Sequence, residues 1–470
     1  MYKYLVKSVE HRKNYLVLRV TPEDPDKTIE FTAGQYATIG FKVNGRPTPM
    51  RCFSFVGSPR TSELQFAMRP DGRFTSKVAQ LEVGQKVNIQ GAFGHFVIEE
   101  LSDKNIVMLA GGIGITPFMS MLRWATEKKI NKPITLIYSN HDKEHIPFND
   151  EINELQIKNP NLRVVYLVTE GKHEEANKIF AGRPDIKLIK KLCSSRFQSS
   201  TFLICGPPAY MDKVADDLHL SKIKEEQIIL ESFEQKSTFG WKLSSLGIQA
   251  KTYLSVSLIL VFMVGVIGLL SGGSNGLGFD SSWELYIIRA AGFVAAGLVL
   301  ALMMSGIGQV TGLTYRLVEP VKAWAIHKAM AISLLAVIAI HVVLIVLNSV
   351  MAFSILDATI PLMTKYSNGT AALGLQLSGL AVAFGIMAMY GVIIIVASSL
   401  AWIDTRQKIW RWLHYLGYLV VFDIFFHGLY VGTDLIHGFV RLLWVSLAGL
   451  LLLVIGTRLM RAGTLRSKKQ

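Results

Sequence analysis

The 470-residue chain has few cysteines, and its second half has few charges. Its three cysteines, Cys52, Cys193 and Cys205, lie far apart without a CxxC pair, which disfavours an iron–sulfur cluster or a zinc site. No nucleic-acid-binding motif accompanies the net charge of +14, so we expect no nucleic-acid partner. Residues 1–250 contain 62 charged residues, whereas residues 251–470 contain only 22. The second half therefore cannot dissolve in water by itself, and disorder, collagen and a disulfide scaffold are excluded.

The first half has the patterns of two soluble domains. In residues 1–101, short alternating runs broken by Gly, Pro, Asp and Asn predict an antiparallel β-barrel. In residues 102–235, apolar strands such as IVMLA and TFLIC alternate with helical segments, which predicts an α/β domain with a parallel sheet. The N-terminus lacks the apolar region of a signal peptide, so we expect this half to remain in the cytoplasm.

The second half is predicted to be an all-α, six-helix transmembrane bundle over residues 253–460. A polar linker at 236–252 precedes it, and a basic cytoplasmic tail at 461–470 follows it. Each apolar segment can cross a hydrocarbon layer of about 30 Å. The segments lie at 253–271, 285–308, 321–349, 371–402, 408–432 and 438–459.

The charges around these segments set the expected orientation. Twelve Lys and Arg fall on the side assigned to the cytoplasm, against three on the other side, Arg289, Lys365 and Arg441. Basic residues concentrate on the cytoplasmic side of membrane proteins. We therefore expect a multi-pass protein of the cell membrane, in contact with the lipid bilayer and with both termini in the cytoplasm.

Four histidines lie in two of the apolar segments, His327 with His341 and His414 with His427. A histidine inside a membrane is costly and usually has a task or a partner. The 14-residue spacing of the first pair is about 40° short of four turns and spans roughly 21 Å, so both rings lie on one face. The 13-residue spacing of the second pair is about 140° short of four turns, so on an ideal helix the two rings point in different directions. To face the same way they require local tightening of the helix, a bend or different approach angles.

The direction of the helices sorts these histidines into two levels. His327 and His414 fall at the inner level, and His341 and His427 at the outer level. Two opposed imidazoles suit the axial positions of a haem iron, so the four residues predict two stacked b-type haems. The alternative is a set of histidines that hydrogen-bond between helices. Zinc is disfavoured because the levels are about 21 Å apart.

Arg289 breaks the apolar pattern near the outer end of the second segment. It is a candidate to neutralise haem propionates at the outer level. Interfacial snorkelling of its side chain is an equally good explanation.

Two motifs in the first domain resemble those of the ferredoxin–NADP reductase family. They are Arg51-Cys52-Phe53-Ser54, similar to Arg-x-(Tyr/Phe)-Ser, and Gly72-Arg73-Phe74-Thr75-Ser76, similar to Gly-x-x-(Ser/Thr). The resemblance implies bound FAD, with Arg51 on the pyrophosphate, Phe53 on the isoalloxazine and Ser54 near flavin N5. It also implies that the second motif opens a helix whose N–H groups hold the pyrophosphate.

The second domain carries a glycine-rich turn, IVMLAGGIGITPFMSML. Gly111, Gly112 and Gly114 allow a dinucleotide phosphate to approach a helix N-terminus, and Pro117 suits the first helical turn. By resemblance, Thr116 lies near the nicotinamide. Tyr138-Ser139-Asn140 is not followed directly by an acidic residue, which slightly favours NADPH over NADH.

Two later motifs also resemble that family. Cys205-Gly206-Pro207 is similar to its Cys-Gly-Pro strand end, and Glu231-Ser232-Phe233 to its terminal Glu-x-aromatic. The resemblance implies that Cys205 lies beside the hydride-transfer zone and that Phe233 shields the flavin until nicotinamide displaces it. Ser54, Thr116, Cys205 and Phe233 are therefore the expected catalytic residues.

The two halves together resemble the NADPH oxidase and ferric reductase superfamily over nearly the whole chain, with the flavoprotein N-terminal instead of C-terminal. The resemblance implies an oxidoreductase that passes electrons from NAD(P)H through FAD, an inner haem and an outer haem to an extracytoplasmic acceptor. Dioxygen giving superoxide is favoured, since Arg289 falls where the oxidases carry an outer-haem arginine. A ferric chelate, a quinone or a redox partner protein are alternatives.

Two further hypotheses do without this electron path. In one, the helices only anchor a soluble flavin enzyme. In the other, the chain is a non-haem membrane sensor or transporter, and the flavoprotein is its input domain. The oligomeric state is left open by the sequence.

Overall fold

The structure is a computed structural model that forms two compact units, Met1–Lys236 and Ser237–Gln470. The predicted linker 236–252, the apolar segment 253–271, the tail 461–470 and Phe233 lie outside the described residues. The described residues are 2–99, 105–170, 179–231, 283–311, 313–348, 353–364, 366, 371–372, 375–403, 406–432, 435, 438–449 and 451.

The first part of the N-terminal unit is an antiparallel sheet that nearly closes into a barrel. Its strands are β1 (Tyr2–His11), β2 (Leu16–Pro22), β3 (Tyr36–Val43), β4 (Arg46–Pro47), β5 (Arg51–Ser54), β6 (Leu64–Met68) and β7 (Lys86–Phe93). Their order is β4-β3-β7-β1-β2-β6, with β5 paired to β3. A bridge between Phe55 and Phe66 brings the β5 and β6 ends together.

Alternation along the strands builds the barrel core. In β2, Leu16, Leu18 and Val20 are fully buried, whereas Arg19 between them is half-buried and binds Glu10 and Glu63. Successive side chains of a strand point to opposite faces, so this pattern fills one face with apolar side chains. The short helix α1 (Thr75–Val78) lies between β6 and β7. The predicted antiparallel barrel is confirmed.

The second part of this unit is a six-stranded, all-parallel sheet. Its strands are β8 (Asn105–Gly111), β9 (Ile134–Asn140), β10 (Leu162–Val168), β11 (Ile179–Ala181), β12 (Ser200–Cys205) and β13 (Ile228–Glu231). Its helices are α2 (Thr116–Glu127), α3 (Asn149–Lys158), α4 (Ile186–Cys193) and α5 (Pro208–Leu220). The predicted α/β domain is confirmed.

The strand order of the parallel sheet, β11-β10-β9-β8-β12-β13, creates a switch point beside β8. The chain proceeds from β8 to β9 on one side and returns to β12 on the other. Ile106, Met108 and Ala110 of β8 pack into one apolar core, and Val107 and Leu109 into the core on the opposite face. A parallel sheet covered on both faces binds ligands at the carboxyl ends of its strands, at the switch point.

The described part of the second unit is mainly helical. Its helices are α6 (Trp283–Thr311), α7 (Pro320–Leu347), α8 (Ile355–Thr359), α9 (Leu377–Trp402), α10 (Gln407–His414), α11 (Leu416–Val431) and α12 (Phe439–Gly449). Among the described residues, four stretches are long and apolar enough to cross a membrane: Glu284–Val310, Pro320–Leu347, Leu377–Trp402 and Ile409–Val431. They correspond to four of the six predicted segments.

Side chains from these four stretches share one apolar core. Ala291, Leu334, Val392 and Val420 each come from a different stretch, and all four are buried. α9 begins later than the predicted segment 371–402, because Ala371–Ala372 and Leu375–Gln376 pair as a small antiparallel ladder before it.

The predicted helix over 408–432 is interrupted at Tyr415. α10 ends at His414, and α11 begins at Leu416. The Tyr415 N–H donates to the carbonyls of Arg411 and Trp412, and the Tyr418 N–H donates to the Tyr415 carbonyl. The bond to Arg411 has ordinary α-helical i to i−4 spacing, whereas the bonds to Trp412 and Tyr415 have i to i−3 spacing. Bonds of i to i−3 spacing belong to a tighter helix, which turns about 120° per residue instead of about 100°. The tightening acts in the direction that reduces the angular mismatch between His414 and His427.

Candidate functional site

The first flavin motif forms the strand β5 of the barrel sheet. β5 runs antiparallel to β3, with Cys52 opposite Thr38 and Phe53 opposite Ala37. Ser54 is 3% exposed, and its Oγ has no hydrogen-bond partner within the described residues. Buried hydroxyls are normally hydrogen-bonded. The Ser54 hydroxyl therefore suits a polar atom of a bound cofactor.

The second flavin motif lies against the first. The rings of Phe53 and Phe74 are nearly parallel, with centroids 5.8 Å apart. Thr75 Oγ1 accepts a hydrogen bond from the Gly72 N–H at 3.0 Å, and Ser76 Oγ donates to the Gly72 carbonyl at 2.8 Å. The hydroxyls of this motif thus fix the turn that precedes α1. Arg51 and Arg73 are exposed, which leaves their guanidinium groups accessible to a phosphate.

The glycine-rich turn and the Cys-Gly-Pro motif come together at the switch point. A Cβ on Gly114 would lie 2.5 Å from the Cys205 carbonyl oxygen, so only glycine fits there. Gly206 also approaches Gly111, because a Cβ on Gly206 would lie 3.1 Å from the Gly111 Cα. Gly112 has φ +55° and is held by the Tyr138 hydroxyl, which donates to its carbonyl at 2.9 Å. These contacts form a compact cradle at the carboxyl ends of β8 and β12.

Thr116 and Pro117 begin α2 immediately after this turn. Thr116 is buried, and its Oγ1 donates to the Ile113 carbonyl at 3.1 Å. Pro117 occupies the first turn, where its missing N–H breaks no helical hydrogen bond.

Two thiols lie near the Glu231 carboxylate. Burial raises the pKa of Cys205 well above its ordinary value, and the Glu231 charge raises it further. Burial also raises the pKa of Cys52 to about 12, against the opposing effect of Arg51. Both groups are therefore neutral thiols at physiological pH, so Cys205 is not a thiolate nucleophile.

Two arginines that the sequence analysis did not select connect the barrel to the α/β domain. Arg69 follows β6, and its Nη2 lies 3.2 Å from the position of a Cβ on Gly112. Arg123 on α2 forms a bidentate pair with Glu151 at 2.6 and 2.9 Å, and its Nη1 donates to the Val56 carbonyl at 2.8 Å. Neither arginine belongs to a motif, so the sequence alone gave no signal for these contacts.

In the second unit, His341 and His427 face each other. Their ring centroids are 6.4 Å apart, and the rings are nearly perpendicular at 84°. His341 Nδ1 donates to the Ile288 carbonyl, and His427 Nδ1 donates to the Ala381 carbonyl, both at 2.9 Å. Because each Nδ1 carries the proton, each Nε2 has a lone pair available to a metal.

A glycine accompanies each of these hydrogen bonds. Gly292 lies one turn after Ile288 on α6, and Gly385 lies one turn after Ala381 on α9. A Cβ on Gly292 would lie 3.5 Å from His341, whereas a Cβ on Gly385 would lie 2.5 Å from His427 Nδ1. A glycine four residues after the carbonyl residue therefore lets the histidine ring approach that carbonyl. At position 385 only glycine leaves room for the ring, whereas position 292 has room for a Cβ.

The other two histidines have different surroundings. His327 Nδ1 is 3.2 Å from the Ser305 hydroxyl, and its ring also faces Gly306. The His414 ring lies 5.1 Å from the Trp410 ring, whose Nε1 donates to Ser399 at 2.9 Å. Within the described residues, no group of three or more His, Cys, Asp or Glu side chains gathers as a metal site.

Arg289 follows Ile288, whose carbonyl binds His341. Its guanidinium lies 5.8 Å from the centre of the Tyr286 ring. The charge of Arg289 is therefore on α6 next to the residue whose carbonyl orients His341.

Three family models match successive parts of the chain. "Oxidoreductase FAD-binding domain" matches residues 4–98, "Oxidoreductase NAD-binding domain" matches 108–216, and "Ferric reductase like transmembrane component" matches 291–425. The first two ranges cover the barrel and the parallel sheet. The third covers His327, His341 and His414.

Curated relatives match about half of the chain. Flavohemoprotein A of Dictyostelium discoideum is 26% identical over 242 residues, which are 48% of this chain and 58% of the relative. The ferredoxin reductase component of the 3-ketosteroid-9-alpha-monooxygenase of Mycobacterium tuberculosis is 28% identical over 217 residues, 45% of this chain and 58% of the relative. The chain thus spans less than two thirds of these relatives. Among solved structures, flavohemoglobin from Malassezia yamatoensis with bound FAD and heme aligns with TM-score 0.45 and 22% identity, covering 50% of this chain and 60% of that one.

Proposed function

Because this chain belongs to the ferric reductase and NADPH oxidase superfamily, we propose that it carries electrons from NAD(P)H across a membrane to an acceptor on the other side. It is an oxidoreductase with FAD- and NAD-binding domains ahead of its membrane component. Bound FAD would accept a hydride, and haem iron would accept single electrons. Side chains of the protein would bind and orient these groups.

The outer histidine pair is the observation that carries this proposal. With metal–imidazole bonds of about 2 Å on each side, two rings that share one iron have centroids roughly 6 Å apart. The separation of 6.4 Å between His341 and His427 agrees with this value. Carbonyl hydrogen bonds at both Nδ1 atoms fix the tautomer that a metal needs. We infer that His341 and His427 hold the outer haem.

The inner haem would be held by His327 and His414. The Ser305 hydroxyl is positioned to orient His327, and the Trp410 ring packs beside His414. Aromatic and hydroxyl neighbours fix ring orientation without competing for Nε2. Arg289, next to Ile288, is proposed to neutralise propionate groups at the outer level.

The flavoprotein residues fit the two nucleotide cofactors. The Ser54 hydroxyl, which no described residue hydrogen-bonds, suits the flavin edge, with Phe53 against the ring and the exposed Arg51 and Arg73 toward the pyrophosphate. The cradle at Gly112 and Gly114 suits the pyrophosphate of NAD(P)H. We propose that Thr116, Cys205 and Phe233 border the site of hydride transfer.

Dioxygen giving superoxide is the acceptor that we propose, with a ferric chelate, a quinone or a redox partner as the second candidate. Electrons would leave the cytoplasmic side without an accompanying proton. The step would then be electrogenic, at about 2.3 kcal/mol per electron per 100 mV. With both termini in the cytoplasm of a cell-membrane protein, the outer histidines would face the acceptor.

The test is purification of the full chain after expression with ample haem. We expect FAD, about two b-type haems per chain, and haem reduction by NADPH or NADH without oxygen. H341A should lose the outer haem and activity toward the external acceptor. A flavin-containing preparation without a Soret band would refute the proposal and favour a sensor or transporter.

The acceptor is tested by comparing superoxide and ferrous iron production with and without oxygen. Superoxide that depends on oxygen supports the oxidase assignment. Equal reduction of a ferric chelate without oxygen, with no superoxide in air, would replace it with ferric reduction. Full activity of H341A toward the true acceptor would mean that the helices serve only as an anchor.

A further inference from the structure

The imidazoles of His341, His427 and His327 are oriented at Nδ1 by two kinds of group. His341 and His427 each bind a main-chain carbonyl, at Ile288 and Ala381. His327 instead contacts a side chain, the Ser305 hydroxyl, at 3.2 Å. A main-chain carbonyl is present whatever residue occupies the position, whereas a hydroxyl depends on the residue. The electronic environment of His327 can therefore change with one substitution.

Ser305 is itself held by a second side chain. Gln309, one turn further along α6, donates from Nε2 to Ser305 Oγ at 3.1 Å. The same amide group lies 3.3 Å from the Ala323 carbonyl, at the start of α7. Gln309 thus connects the two helices and directs the oxygen of Ser305. These contacts form a short chain from Ala323 through Gln309 and Ser305 to His327.

The direction of the hydrogen bond follows from the proposed ligation. If His327 binds a metal through Nε2, its proton must be on Nδ1, which then donates to Ser305 Oγ. An acceptor at this position raises the basicity of the imidazole. A more basic ligand stabilises ferric over ferrous iron and lowers the reduction potential.

We propose that Ser305, directed by Gln309, is a positioning residue that sets the reduction potential of the inner haem independently of the outer haem. The inference rests on the proposed function, because it requires His327 to be a haem ligand. Its chemistry is confined to the hydrogen bond at His327 Nδ1. No electron or proton leaves Ser305 in this role.

The test is an anaerobic spectroscopic redox titration of S305A in the purified full chain. We expect the ferric-to-ferrous ratio of one haem to fall about tenfold at a given potential, a positive shift of about 59 mV, with the other haem unchanged. S305T retains the hydroxyl and should restore the original value. S398A is the matched control, because Ser398 is a buried serine on α9 whose Oγ donates to the Ile395 carbonyl.

A second variant identifies the haem that shifts. H341A should retain only the inner haem, and S305A in that background should shift it by the same amount. Unchanged potentials in S305A, an equal shift of both haems, or no restoration by S305T would overturn the role of Ser305 while leaving two haems in place. Absence of haem from the unmodified protein would instead overturn the proposed function.

Discussion

The imidazole of His427 lies directly on Gly385, where a Cβ would come within 2.5 Å of Nδ1. The same nitrogen donates to the carbonyl of Ala381, one turn earlier on α9. The hydrogen bond therefore depends on the glycine, because any larger side chain at position 385 would push the ring away from the carbonyl. α6 repeats the arrangement more loosely for His341, with Ile288 and Gly292.

The first prediction compares alanine at the two glycines. G385A should displace the His427 ring and lose most of the proposed outer haem, because a Cβ 2.5 Å from Nδ1 forces the ring to move. G292A should retain it, because 3.5 Å is an ordinary van der Waals distance. Haem content per FAD, measured by absorbance, checks both variants. Equal haem loss in the two variants would contradict the role assigned to Gly385.

The sequence predicted the outline of this site but not its fine structure. The short alternating runs of residues 1–101 and the apolar run of β8 were sufficient for the barrel and the parallel sheet, because burial on one face or both leaves a local pattern. Helix geometry likewise predicts that His327 and His341, 14 residues apart, lie on one face of their helix. The carbonyls of Ile288 and Ala381 left no pattern, because every residue has a carbonyl and only tertiary packing selects which one a ring meets.

The fifth apolar segment illustrates a second limit. An uninterrupted helix leaves His414 and His427 on different faces, and the sequence indicates only that something must change. The break at Tyr415 depends on which carbonyls its N–H reaches. The contacts of Arg69 and Arg123 could not be predicted for a similar reason, because each arginine contacts residues that are distant in sequence.

The second prediction separates the catalytic and structural roles of two buried serines. S54A should not lower the melting temperature, because no described group hydrogen-bonds to Ser54 Oγ, but it should slow flavin reduction by NADPH. S58A should lower the melting temperature and leave the rate of flavin reduction unchanged. It removes a 2.6 Å hydrogen bond to Glu127 and should cost about 1–3 kcal/mol of stability. Stopped-flow flavin reduction and thermal unfolding measure the two effects, and a normal reduction rate in S54A would argue against contact with the flavin.

The third prediction concerns the reactivity of the thiols. Burial raises the pKa of Cys52 to about 12 and that of Cys193 to about 11, and it raises that of Cys205 as well. At pH 8 the three groups are therefore protonated thiols, and only the thiolate reacts rapidly. Iodoacetamide should therefore leave all three cysteines of the native protein unlabelled at pH 8 and label all three after denaturation. Rapid labelling of Cys205 in the native protein, located by peptide mass spectrometry, would show that its environment is less buried.

The last prediction concerns the contact between the barrel and the α/β domain. Arg123 binds both carboxylate oxygens of Glu151 and also the Val56 carbonyl and Gln65, so one guanidinium aligns the two domains that carry the flavin and nicotinamide motifs. R123K keeps the charge but cannot make these contacts together. Small misplacements of reacting groups slow a reaction strongly, so we expect hydride transfer to slow about tenfold or more with FAD retained.

R19K is the control for this prediction, because Arg19 pairs with Glu10 and Glu63, which belong to the barrel itself. Its rate of flavin reduction should equal that of the unmodified protein. NADPH deuterated at the transferred hydrogen shows whether hydride transfer limits the measured rate, since the isotope effect should increase in R123K. If R123K and R19K reduce flavin equally fast, the alignment of the two domains does not depend on Arg123. The hydrogen bonds from Ser58 of the barrel to Glu127 and from Ser120 on α2 to the Gly57 carbonyl are then sufficient to hold it.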